Sequence, residues 1–192
     1  MCKKTFLNNI EESPIIAAVK DDNGLCKCLS SDVNTVFILY GDICTIPSIV
    51  KKVKDSGRIA MVHIDLISGL SVRDASVDFI KQFTEADGII STKYSLIAHA
   101  KELGLYTVLR FFVLDSMALV NIEKQSKPGN MQPDAIEILP GIVVPKVIKK
   151  INSISRVPII AGGLITDKDD IINALSSGAI AISSTNQDVW FL

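Results

Sequence analysis

A chain of 192 residues, 48% hydrophobic and 21% charged, is large enough to bury a sizeable core and too apolar to be disordered. A net charge of −1 and a pI near 6.1 exclude a global basic field, so any nucleic-acid contact must rest on a local patch. Met1–Asn9 is polar and leads into no apolar segment, and no window approaches about 18 consecutive apolar residues; the expectation is a soluble, cytoplasmic protein without signal peptide or membrane span. The cysteines Cys2, Cys26, Cys28 and Cys44 lack the spacing of a zinc knuckle and read as free thiols, with no metal site expected.

In chain order, Pro14–Val19 is a short apolar run, followed by the turn Asp21–Gly24 and a short helix over Leu25–Asp32. Thr35–Tyr40 is a second buried run, and Ile46–Ser56 is a helix stopped by Gly57. Arg58–Leu66 is a third strand, and Val72–Phe83 the helix after it. Gly88–Lys93, then Tyr94–Leu103, then Leu105–Val113, then Ser116–Gln125 capped by Asp115, continue the alternation. Beyond the breaker-rich Ser126–Pro133 come strand Ala135–Leu139 and helix Val144–Ile154.

The closing stretch, Pro158–Asn186, has two more apolar runs, Pro158–Ala161 and Ala179–Ile182. Between them stand Gly162-Gly163 and a helix with Thr166-Asp167 at its start; Ser183–Asn186 follows, and Asn186–Leu192 is left for a short eighth helix. Eight strands alternating with helices predict a compact (β/α)8 TIM barrel occupying residues 1–192 as one domain. An open doubly wound sheet would want its glycine-rich turn after the first strand, where KDDNG stands instead. Gly-Gly and Ser/Thr turns closing the last two strands suit a phosphate cradle of backbone N–H and hydroxyl donors; an ordinary strand–helix–strand unit is the competing reading.

Barrels place function at the C-terminal ends of their strands, and side chains alternate along a strand. By that parity Met61, His63 and Asp65 face inward, Arg110 shares a face with Val108 and Phe112, and Glu137 lies between the outward Ile136 and Ile138. Ser91 and Lys93 share one face, and Lys20 ends the first strand. The predicted mouth therefore holds Lys20, His63, Asp65, Lys93, Arg110 and Glu137. This set is either a self-satisfied ring of ion pairs or a polar pocket for a small, hydroxylated anion. No catalytic triad stands out, and His63-x-Asp65 is a weak metal signal.

Six segments in this order and spacing carry a resemblance: Met61–Ile67 (MVHIDLI), Gly88–Thr92 (GIIST), Arg110–Asp115 (RFFVLD), Glu137–Gly141 (EILPG), Ala161–Ile165 (AGGLI) and Ser183–Asn186 (SSTN). From Pro14 to Trp190 the chain resembles the glycerol-3-phosphate-responsive antiterminators, regulators of bacterial glycerol uptake operons. The resemblance implies a (β/α)8 barrel without catalytic residues or cofactor. Such a barrel would bind glycerol-3-phosphate, act on the leader mRNA of its target genes and prevent premature transcription termination. On that reading the phosphate sits at Gly162, Gly163, Ser184 and Thr185, and the glycerol hydroxyls meet His63, Asp65, Arg110 and Glu137. Lys20 stands where arginine is expected, which replaces a forked contact by a point charge.

RNA binding calls for a basic surface. Two clusters qualify, Lys51, Lys52, Lys54 and Arg58, then Lys146, Lys149, Lys150 and Arg156, and both also read as solvated helix faces. The alternative functional reading is a barrel enzyme, such as an isomerase, acting on a phosphorylated small molecule.

Overall fold

The computed structural model describes residues 4–125, 131–141 and 145–192. Eight parallel strands close in chain order: β1 (Ile15–Val19), β2 (Thr35–Ile38), β3 (Ile59–His63), β4 (Gly88–Ser91), β5 (Tyr106–Phe112), β6 (Ala135–Leu139), β7 (Ile159–Gly162) and β8 (Ala181–Ser184). β8 returns to β1 with Ile182 beside Ile15, which closes the barrel and rules out the open sheet. Helices α2 (Asp22–Leu29), α3 (Ile46–Asp55), α4 (Asp74–Phe83), α5 (Tyr94–Glu102), α6 (Ser116–Gln125), α7 (Pro145–Ile154) and α8 (Lys168–Ser176) connect successive strands. The molecule is a (β/α)8 TIM barrel.

The period-2 pattern sorts the strand residues into two layers. Val36, Ile38, Ala60, Val62, Ile89 and Leu109 pack outward against helices, as do Ile136, Ile138, Ile159, Ala161 and Ile182 further round the barrel. Ile16, Ala18, Phe37, Met61, Ile90, Val108, Ile160 and Ala181 fill the interior. Local chemistry sets the helix ends. Asp21 caps α2 through Gly24 N–H at 2.6 Å. At α8, Asp167 caps Asp170 N–H at 2.9 Å while Asp170 accepts from the N–H and hydroxyl of Thr166.

An element that the strand–helix cadence does not announce precedes the barrel. Helix α1 (Lys4–Glu12) turns Phe6 and Ile10, one helical turn apart and both fully buried, into the interior cluster. The Phe6 ring stacks on Tyr106, the first residue of β5, at 5.1 Å, so α1 plugs the N-terminal end of the barrel. At the same end Asp87 accepts from Ala60 N–H (2.8 Å) and Lys54 (2.6 Å), and Asp134 accepts from the N–H and hydroxyl of Thr107, both at 2.9 Å.

Besides α2, which begins at Asp22 inside the expected turn and ends at Leu29, and β2, which stops at Ile38, three boundaries that bear on the mouth differ from the sequence expectation. β3 ends at His63 and continues as a 3-10 turn, Ile64–Leu66, where the sequence suggests strand to Leu66. β4 ends at Ser91, and Lys93 is the N-cap of α5. β8 begins two residues late and includes Ser183 and Ser184, which the sequence places in a turn. The eighth helix is a 3-10 segment, Gln187–Phe191, pinned by Trp190 Nε1 donating to the Ser184 carbonyl at 2.8 Å. Val144, the expected start of the seventh helix, and Ser126–Asn130 of the expected loop lie outside the described residues. Among the described residues no helix is long and apolar enough to cross a membrane.

Candidate functional site at the barrel mouth

Above the apolar interior the same inward parity delivers a polar layer at the C-terminal end: His63, Arg110, Glu137 and Ser183, with Gly162 among them. Arg110 and Glu137 are register partners on β5 and β6, so their side chains leave the sheet side by side. Arg110 Nε donates to Glu137 Oε2 at 2.6 Å, and Ser183 Oγ donates to Oε1 at 2.5 Å. The pair is buried, Arg110 8% and Glu137 1% exposed, so losing either partner would leave a desolvated charge at a cost of about 3–5 kcal/mol. Arg110, read from sequence as a hydroxyl contact, is first an ion-pair partner.

A cavity of about 70 Å³ opens over this pair, lined by Ala18, Leu39, Arg110, Glu137, Leu139, Gly163, Ser183 and Thr185. Only Nε of the guanidinium is engaged with Glu137, so Arg110 lines the cavity as its cation. Gly163 (φ +77°) and then Leu164 (φ +61°) both take left-handed backbone, a conformation glycine adopts freely and leucine adopts at a cost of about 1 kcal/mol or more. Two such residues in succession, directly after β7, turn the chain sharply at the cavity rim.

The residues expected to hold phosphate divide here. Gly163 and Thr185 line the cavity. Gly162 faces the axis, but a Cβ there would lie 2.6 Å from both Glu137 Oε1 and Ser183 Oγ, so the glycine makes room for that hydrogen bond. Ser184 points away from the axis: its hydroxyl donates to the Ile165 carbonyl at 2.8 Å and accepts from Asn186 N–H at 3.0 Å. β8 runs on through Ser184 where the sequence suggests a turn, so the alternation persists and Ser183, absent from the expected set, takes the inward position. Strand parity carried over from Ala181 gives the signal that finds it.

His63 occupies the inward position at the end of β3 and is 2% exposed. Burial, reinforced by the Arg110 guanidinium and opposed by Asp65, lowers its pKa to about 4, so the imidazole is neutral at pH 7. Its Nδ1 is buried and has no hydrogen-bond partner.

Asp65, Lys93 and Lys20 do not join this layer. Asp65, on the 3-10 turn, is bent toward the end of β4, where it accepts from Ser91 Oγ (2.6 Å), Thr92 N–H (2.7 Å) and Thr92 Oγ1 (2.8 Å). Partial burial pushes its carboxyl up, and these hydrogen bonds prevail and hold it below the ordinary carboxylate range. Asp65 and the exposed Lys93 line a separate lateral cleft of about 340 Å³ with Ile64, Leu70, Ser71, Val72, Thr92 and Leu96. Lys20 is exposed two residues beyond the cavity-lining Ala18. Among the described residues no group of three or more His, Cys, Asp or Glu side chains is placed to hold a metal ion.

The sequence matches the family model of glycerol-3-phosphate responsive antiterminators over residues 15–190, from the first residue of β1 to the last turn of the chain. The chain belongs to this family. The chain is 45% identical over 187 residues to the uncharacterized protein YgcP of Escherichia coli K12, covering 97% of this chain and 96% of YgcP. The solved glycerol uptake operon antiterminator regulatory protein of Listeria monocytogenes is 33% identical, covers 92% of this chain and 94% of its own, and superposes with a TM-score of 0.84. A glycerol uptake operon antiterminator-related protein of Thermotoga maritima is 32% identical, with coverages of 93% and 98% and a TM-score of 0.81.

For a member of an antiterminator family the basic surfaces matter. The first cluster is internally neutralised: Lys51 pairs with Asp55 (2.8 Å), Lys52 with Asp22 (3.7 Å) and Lys54 with Asp87 (2.6 Å). Arg58 is spent on the carbonyls of Leu29, Ser31 and Val33. In the second, Lys149 and Lys150 on α7 and Arg156 beyond it are exposed and make no ion pair among the described residues. The side chain of Lys146 lies outside the described residues.

Proposed function

We propose that this chain is a glycerol-3-phosphate-binding transcription antiterminator that acts on the leader mRNA of glycerol uptake or metabolism genes and performs no catalysis. The observation that carries the reading is the family match across residues 15–190, which takes in all eight strands and every residue of the mouth layer. The cavity supports it in chemical terms. Arg110 offers a cation, Gly163 and Thr185 offer a backbone and a hydroxyl rim, and Leu39 and Leu139 offer apolar walls against a three-carbon chain. The phosphate belongs on the β7–β8 side, where the rim turns sharply. Lys149 and Lys150 of α7, which make no ion pair among the described residues, rather than the neutralised lysines of α3, are the face offered to RNA phosphates. A sensor also needs differential binding of its ligand to two states, which the Arg110–Glu137–Ser183 chain joining β5, β6 and β8 is placed to transmit.

The test is a titration of leader RNA with and without glycerol-3-phosphate, paired with a turnover assay on the same compound. RNA affinity that changes with ligand, without turnover, supports the reading. Turnover with an RNA affinity indifferent to ligand refutes it and favours the barrel enzyme.

A further inference from the structure

We propose that the outer face of α6, with the end of β5 that leads into it, docks a second copy of this chain, the two α6 helices lying antiparallel about a twofold axis near Val120. The inference is independent of the ligand and RNA readings. A helix on the outside of a barrel ordinarily turns one apolar face inward and charges outward. Helix α3 does so, with Ile46, Ile49, Val50 and Val53 buried and Lys51, Lys52 and Asp55 exposed. Helix α6 is apolar on both faces. Leu119 and Ile122 pack against the barrel. Met117 and Val120, one turn apart on the opposite side, are 60% and 54% exposed. Just before the helix, Phe112 and Leu114 are 54% and 83% exposed. Single exposed apolar residues are ordinary, but four within nine consecutive positions form a patch.

The chemistry of the patch selects its occupant. Between Phe111 and Ile122 the only charged residue is Asp115. RNA would find no cation there for its phosphates, and a lipid surface none of the basic residues by which a surface helix holds headgroups. What fits is another neutral, apolar face, and this one is complementary to itself. Asp115 stands at the N-terminus of α6, where its carboxylate accepts from Met117 N–H at 2.8 Å. Lys124 lies in the last turn, on the same side as Met117 and Val120. Antiparallel pairing brings each Asp115 toward the partner's Lys124 and opposes the two helix dipoles, whereas parallel pairing sets like charges together. The four apolar side chains leave roughly 400 Å² in water, as much as the largest apolar patch of a typical monomer. Two copies joined there with their polar rims bury about 1,200 Å², where specific interfaces begin. Phe112 is also the register partner of Leu139, a wall of the mouth cavity, so the docking surface reaches the rim of the site.

The experiment is sedimentation velocity with light scattering on the full chain, from about 1 to about 200 μM, without ligand or RNA. Wild type is expected to pass from the 20.8 kDa of one chain to twice that mass across this range. Val120→Lys and Val120→Glu each set like charges together at the axis and should each weaken self-association about tenfold or more. The denaturation midpoint at the lowest concentration should not change, because Val120 is half exposed. Mixing the two variants should restore a dimer with one copy of each. Met117→Lys probes the same face and carries the test if a Val120 variant does not fold. A wild type that is monomeric at every concentration overturns the proposal. So does a dimer indifferent to both Val120 and Met117, which would lie on another face, or a mixture that stays monomeric. Variants that lose affinity for leader RNA while wild type remains a monomer would assign the patch to RNA and overturn it as well.

Discussion

Gly162→Ala separates two explanations of the glycine that closes β7: room for an internal hydrogen bond, or close approach of a phosphate. An added Cβ would stand 2.6 Å from Glu137 Oε1 and 2.6 Å from Ser183 Oγ, closer than side-chain carbons come in folded proteins, and a tight 3.2 Å from Glu137 Cδ. Glu137 has no cheap retreat, because one oxygen is held by Arg110 at 2.6 Å and the other by Ser183 at 2.5 Å. Moving it disrupts a buried ion pair, worth about 3–5 kcal/mol when broken. Reduced freedom of the unfolded chain returns up to about 1 kcal/mol, since Gly162 is not in the left-handed region. The expected loss in ligand-free protein is therefore about 3 kcal/mol, or a fall of about 1–2 M in the urea midpoint. Ser183→Ala removes one of the two blocking atoms, so the double variant should be more stable than the sum of the singles by about 1 kcal/mol. An alanine variant with an unchanged midpoint but lost phosphate affinity would refute the packing explanation and return Gly162 to the phosphate site.

Four further expectations use the same kind of measurement. His63 resists protonation in the folded state, with a pKa near 4 against an ordinary 6.5, so the unfolded chain binds the extra proton between those values and stability falls as pH drops through that window, by about 3 kcal/mol in all. His63→Leu should flatten this limb in urea titrations from pH 7 to 4, and an unaltered slope would show that another group causes it. His99 acts the other way and elsewhere: its hydrogen bond to Asp78 raises its pKa, so its contribution is complete below pH 6.5 and declines above it. Phe6→Ala, emptying the plug at the bottom of the barrel, should cost about 3–5 kcal/mol by thermal or urea denaturation while leaving ligand affinity intact; a loss below about 1 kcal/mol would mean α1 is dispensable. Asp65→Asn turns one of the two oxygens that serve Ser91 and Thr92 into a donor and should cost about 1–3 kcal/mol with ligand affinity unchanged within twofold; a large affinity loss at full stability would restore Asp65 to the binding site.

The barrel was legible because its strands are continuous apolar runs punctuated by glycine or by capping acids, and such runs are buried on both faces only in a helix-covered parallel sheet. Inward parity also placed Arg110 and Glu137 correctly, since β5 and β6 are long enough for the alternation to persist to the mouth. It failed at Asp65 because the strand ends before it and a 3-10 turn resets the direction of the side chain, and at Lys93 because that residue shares the outward parity of Ile89 and lies past the strand, at the cap of α5. Helix α1 escaped notice because Phe6, Leu7 and Ile10 stand in an otherwise polar segment, and a few apolar residues there gain meaning only from the hole they fill.

The serine pair at the end of β8 shows what parity needs in order to succeed. Ser183 and Ser184 are chemically identical and adjacent, and composition cannot assign one to the axis and the other to the helices. The assignment follows from Gly162, whose missing side chain leaves the space that Ser183 Oγ and Glu137 Oε1 share. A glycine that reads as a phosphate turn when taken by itself thus becomes, with its register partner Ser183, a statement about which hydroxyl faces the ligand. If that coupling is right, Ser183→Ala should weaken the fold and alter ligand affinity together, while Ser184→Ala, which loses only its bonds to Ile165 and Asn186, should weaken the fold alone. Denaturation midpoints and calorimetric titration of the two variants decide it, and a Ser184→Ala variant with native stability and lost affinity would reverse the assignment.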